Sequence, residues 1–134
     1  MRFVIAYLAT GVVFLGLDAI WLSQVGLGLY RREIGALLLE QPNLPVAGLF
    51  YLLFVAGIVL LVVQPAAADG DWLAALWMGA LLGLVAYGTY DITNLSTLRG
   101  WSPTIAAIDV AWGAALTAVA SLAGFLAVSA FAAN

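Results

Sequence analysis

Three aspartates, Asp18, Asp91 and Asp109, stand inside long apolar stretches of a 134-residue chain that is 66% hydrophobic and 8% charged. A carboxylate in hydrocarbon is costly, so each one points to a partner, or to a role in passing ions or protons or in recognising a ligand. The densest polar run is Tyr87, Thr89, Tyr90, Asp91, Thr93, Asn94, Thr97 and Arg99. At helical spacing Tyr87, Asp91 and Asn94 share one face, and Tyr90, Thr93 and Thr97 form a neighbouring stripe. Lipid does not favour so polar a surface, so this reading turns it toward the bundle interior or a wet cavity. Asp18 and Asp109 each belong to an Asp-x-x-Trp step, with Trp21 and Trp112. That spacing sets an indole one turn from the carboxylate on the same face, and a buried indole N–H is a donor that needs a partner.

Composition removes other chemistry. There is no cysteine and no histidine, so disulfides, thiolate nucleophiles and the usual zinc and haem ligands are absent. No cofactor or dedicated metal site is expected. The net charge is −3, and four basic residues form no basic patch, so nucleic acid is not an expected partner. A mean hydropathy of +1.13 lies far above that of a soluble globular chain.

The elements that must position these residues are four apolar spans, each long enough to cross a hydrocarbon core of roughly 20 helical residues. They cover residues 3–25 (with an extension toward Leu29), 45–64, 72–99 and 103–131. Asn43 before Pro45 and Ser102 before Pro103 read as a cap followed by a first-turn proline. Gln64–Pro65 reads as the close of the second span, and Gly100 as the residue just past the third. The expected fold is all-α, a polytopic membrane protein with four transmembrane helices in one antiparallel bundle. The N-terminal run is too long for a cleaved signal peptide, contains Asp18, and is followed by no small-residue cleavage pattern. Ile34–Leu39 reads as a short interfacial helix with Glu33 and Glu40 on its wet side.

Arg31 and Arg32 follow the first span and Arg99 the third, whereas the loop after the second carries Asp69 and Asp71; only Arg2 argues the other way. Arginine asymmetry therefore predicts cytoplasmic loops one and three, with both termini outside. On that topology the aspartates gather in the cytoplasmic half. Asp91 lies roughly 12 Å below the end of its helix, and Asp109 roughly 9 Å inside the start of its own. Tyr30, Arg31, Arg32, Arg99 and Trp101 cap the same side, and Arg99 or Arg31 is within reach as a counter-ion.

Each feature also has a plain structural reading. Aspartates among Trp, Tyr and Asn can hold helices together. The arginines suit topology anchors and headgroup contacts, and Trp72, Trp77 and Trp101 suit interface aromatics. Gly79 with Gly83, and the stripe Gly113, Thr117, Ser121 and Gly124, read as close-packing faces within the bundle, or alternatively as a homodimer interface. Helices one and three run the same way, each with an aspartate in its later half and an arginine soon after, which suggests two hairpins in parallel repeat.

The run Tyr87-Gly-Thr-Tyr-Asp91-Ile-Thr-Asn94-Leu-Ser-Thr97-Leu-Arg99-Gly100-Trp101 and the run Ile108-Asp109-Val-Ala-Trp112-Gly113 resemble the signatures of the bacterial membrane family named domain of unknown function 2177. The stretch Val13-Phe-Leu-Gly-Leu-Asp18-Ala-Ile-Trp21-Leu22 and the loop Tyr30-Arg-Arg-Glu-Ile-Gly35 fit the same family. The resemblance covers almost the whole chain. It implies a four-helix inner-membrane protein and supports the choice of residues, but it brings no activity with it.

Three classes of function remain. The first is binding or translocation of a proton-coupled solute, or of an amphiphile whose tail lies in the bilayer, at a site formed by Asp18, Trp21, Tyr87, Tyr90, Asp91, Asn94, Arg99, Asp109 and Trp112. The second is a lipid-modifying enzyme using Asp and Tyr acid–base groups, or a hard divalent cation held by Asp91, Asp109 and Asn94. The third is an accessory subunit of a larger membrane complex. Membrane lipid is the expected partner in each.

Overall fold

Helix starts follow the chemistry of their first residues. The Asn43 side chain accepts from the Val46 N–H at 3.2 Å, Asp71 from the Ala74 N–H at 3.0 Å, and the Ser102 hydroxyl from the Ile105 N–H at 3.2 Å. Each satisfies a donor that the first turn cannot pair internally. The computed structural model describes residues 1–131, and no strand occurs among them. Four helices are long and apolar enough to cross a membrane: α1 (Arg2–Leu37), α2 (Leu44–Asp69), α3 (Trp72–Thr97) and α4 (Pro103–Phe131).

Two helices run further than the sequence suggests. The chain stays helical beyond Val25: α1 passes through a wide π turn at Leu22–Gly26, continues as α-helix over Leu27–Ile34 and carries Arg31 and Arg32 within it. Nothing in that stretch breaks a helix outright, because glycine weakens one without stopping it. The expected interfacial helix after the arginines reduces to a 3-10 turn, Gly35–Leu37, that ends α1. In α2, Pro65 does not close the helix. A second π turn, Val59–Val63, precedes it, with the Gln64 N–H bonded to the Val59 carbonyl, and α-helix resumes over Gln64–Asp69. A proline ring clashes with the carbonyl four residues back, and a widened turn relieves that clash. Gly70, at φ 63°, then supplies the left-handed residue that ends the helix. Helix α3 ends at Thr97, so Arg99 lies in the turn beside Gly100, which has φ 84°.

Helix α4 is the centre of the bundle, packed on α3 along its length, on α1, and on the later part of α2. Small residues set these distances. A Cβ added at Gly83 would collide with the Gly113 carbonyl and with Ala114, and one at Gly79 would press on Ser121 and Ala118. At Gly113 it would enter the Tyr87 ring, and at Gly124 it would meet the Thr10 hydroxyl and Val63. Both small-residue stripes therefore face partners within this chain, and neither presents a free dimer face. The hairpins α1–α2 and α3–α4 are not built alike: α1 meets α2 through Phe14 against Tyr51 and Phe54 rather than through glycines. The outer surface of α2 is less uniform than its composition implies. Leu60 and Leu61 are exposed, whereas Val62 and Val63 are buried in the core, so the Leu60–Val63 stretch is only half lipid-facing.

Candidate functional site

Beyond Gly83 toward the α3–α4 turn, the bundle opens into a cavity of about 570 Å³. Its lining draws on every helix: Asp18, Tyr30 and Ile34 of α1, Tyr51 and Phe54 of α2, Tyr87, Tyr90 and Asp91 of α3, Trp101, and Asp109 of α4. The Gly83–Gly113 contact and the fit of Tyr87 over Gly113 fix the register of α3 on α4. One turn further along, that register sets Asp91 facing Asp109.

The three carboxyls differ in their partners. Asp18, buried, accepts from the Trp112 indole N–H at 3.2 Å and faces the Tyr51 hydroxyl. Asp109 accepts from the Tyr30 hydroxyl at 2.8 Å. Asp91 is fully buried, neither of its oxygens receives an N–H or hydroxyl donor, and the facing Asp109 carboxyl is close enough to share a proton with it. A buried carboxylate without donors is among the most costly groups a protein can hold. The Glu33 side chain accepts from the Ser102 hydroxyl at 2.8 Å, which ties the end of α1 to the start of α4 at the cavity rim.

The residues selected from sequence divide into three groups. Asp18, Tyr87, Tyr90, Asp91 and Asp109 line the cavity. Trp21 and Trp112 stand behind it, stacked with ring centroids 4.6 Å apart and planes 11° from parallel. Their motif works across helices, since Trp112 serves Asp18 rather than the Asp109 of its own helix. The Trp21 N–H is buried without a partner. Asn94 is half-buried and outside the lining. Arg99 is exposed, and neither it nor Arg31 pairs with an aspartate; the ion pair found among the described residues is Arg32–Glu33 at 3.9 Å.

The stripe of Thr93 and Thr97 is also corrected. Both are exposed, and the Thr97 hydroxyl donates to the Thr93 carbonyl at 2.8 Å. Thr89 likewise donates to the Val85 carbonyl and Ser96 to the Ile92 carbonyl, each at 2.7 Å. A hydroxyl that back-bonds to its own helix can face lipid without an orphaned donor. No group of three or more Asp, Glu, His or Cys side chains sits at metal-ligating spacing among the described residues.

Sequence reasoning missed Tyr51, Phe54 and the cavity role of Trp101. Tyr51 carried a signal, as the one side chain able to hydrogen-bond between Leu44 and Val63. Trp101 read as an interface anchor, yet it is half-buried, lines the cavity and meets Tyr90 edge-on with centroids 5.7 Å apart.

The family described as "Predicted membrane protein (DUF2177)" matches residues 3–126. The chain belongs to that family. No curated protein and no solved structure matches it. Membership agrees with four helices able to span a bilayer, and the resemblance noted at Tyr87–Trp101 and Ile108–Gly113 falls inside the matched region.

Proposed function

We propose that this DUF2177 protein binds or translocates a small solute or an amphiphile through the cavity between its four helices. The observation that carries this reading is Asp91, a fully buried carboxyl at the cavity wall that receives no N–H or hydroxyl donor and has only the facing Asp109 carboxyl to share a proton with. Asp18, by contrast, is held by the Trp112 indole N–H. A carboxyl at the wall of a cavity of ligand size is suited to a group that arrives from outside. The cavity end also carries Arg31, Arg32 and Arg99, which supports placing it in the cytoplasmic half of a bacterial inner membrane, with the N-terminus on the far side. Asn134, the other terminus of that topology, lies outside the described residues.

Native mass spectrometry of protein released gently from the membrane tests the reading. The expected result is a retained small molecule or lipid on the wild type that is lost from Asp91→Asn, with both proteins folded. Equal adducts on the two proteins, or none on either, would refute it.

A further inference from the structure

The cavity is not sealed by α2. From Leu44 to Phe54 no residue of α2 is buried, whereas six are buried from Val55 to Ala66. The early part of α2 packs mainly on α1, and its later part reaches α3 and α4. The Phe54 ring still meets the Tyr87 ring, with centroids 6.4 Å apart. Toward the α3–α4 turn, Phe50 of α2 and Tyr90 of α3 both line the cavity while remaining 60% and 55% exposed. The two helices thus leave a side opening that faces the bilayer.

The lining is chemically one-sided. Its charged groups are Asp18, Asp91 and Asp109, and no arginine contributes to it. A carboxyl that ionises beside a cation only accepts hydrogen bonds, so the complementary ligand group is a donor, and a cationic one, which favours that ionisation, is favoured most. Tyr87, Tyr90, Tyr51 and Trp101 add aromatic faces of the kind that attract an ammonium group. On the α1–α2 side, Ile34, Leu38, Ala47, Phe50 and Phe54 form an apolar wall that leads to the opening.

We propose that the ligand is an amine-headed amphiphile that enters sideways between α2 and α3, sets its ammonium against Asp91 and Asp109, and leaves its chain along the apolar wall. This inference rests on the ligand-binding reading above and narrows it to one chemical class. Anionic headgroups are disfavoured, because a phosphate would face carboxyls with no cation among the lining residues.

The test is a titration of the purified protein with four probes, read by native mass spectrometry: dodecylamine, dodecanol, dodecyl phosphate and methylamine. Dodecylamine should bind most tightly. Asp91→Asn should weaken it about tenfold or more, the loss expected for one charged hydrogen-bonding partner, without lowering the melting temperature. Ala47→Trp, which narrows the side opening, should weaken dodecylamine and leave Asp91 available. Dodecanol or dodecyl phosphate binding as well as dodecylamine would overturn the cationic class, and methylamine binding as well would overturn the side entry. Either result leaves the cavity a binding site. Dodecylamine affinity unchanged by Asp91→Asn would overturn the inference at its centre.

Discussion

Along α2, six residues are buried between Val55 and Ala66 and none between Leu44 and Phe54, although both stretches are equally apolar in sequence. The closed half of the bundle is made by small residues. Gly79, Gly83, Gly113 and Gly124 bring backbones close enough that an added methyl has nowhere to go. The open half keeps the polar groups. Unpaired polar atoms alone do not distinguish the halves, since the Thr10, Thr117 and Ser121 hydroxyls are buried without partners in the closed half. Those hydroxyls are neutral and wedged against neighbouring helices, as Thr10 is against Gly124 and Ser121 against Gly79. Asp91 is an acid carboxyl with an open cavity beside it. The lesson is that space beside an unpaired group, and its capacity for charge, separate a site from a packing compromise.

The largest effect should come from breaking the closed half. Gly83→Leu forces atoms into the Gly113 backbone and should cost about 3 kcal/mol or more, read as a collapse of the melting temperature in detergent. Gly88→Ala, in the open half of the same helix where an added Cβ meets nothing, should be neutral or raise stability by about 0.5 kcal/mol. Equal losses at the two glycines would erase the distinction between the halves. A smaller effect is expected inside the open half. Asp18→Ala strands the Trp112 indole N–H and should cost about 1–3 kcal/mol in thermal unfolding. Thr97→Val, whose hydroxyl bonds only its own helix, should stay within about 0.5 kcal/mol. A large loss at Thr97 would mean that this face meets a partner rather than lipid.

Much of this was legible in the sequence, and the failures have physical causes. Four spans follow from apolar runs bounded by Asn43, Asp71 and Ser102, because a helix start announces itself through its cap. Gathering Asp18, Asp91 and Asp109 follows from the cost of carboxylates in lipid, and all three line one cavity. The ends of α1 and α2 were not legible, because a π turn leaves no residue signature and lets a helix run past Gly26 or Pro65. The Thr93 and Thr97 stripe misled because hydroxyls can satisfy themselves on the i−4 carbonyl, a freedom that a carboxylate lacks. Asn94 and Arg99 share the signature run with Asp91 but not the cavity: Asn94 sits in the last turn of α3, beyond the cavity lining, and Arg99 in the turn after Thr97. Tyr51 was passed over because the rest of its helix is so plainly apolar.

The central claim is that Asp91 serves a ligand and not the fold. Thermal unfolding of ligand-stripped protein, wild type against Asp91→Leu, tests it most directly. A buried carboxyl that receives no N–H or hydroxyl donor and faces another carboxyl contributes no net stability, so replacing it with an apolar side chain of similar size should leave the melting temperature unchanged or raise it. A fall of several degrees, comparable to that of Asp18→Ala, would show that Asp91 holds the helices together and would contradict the account.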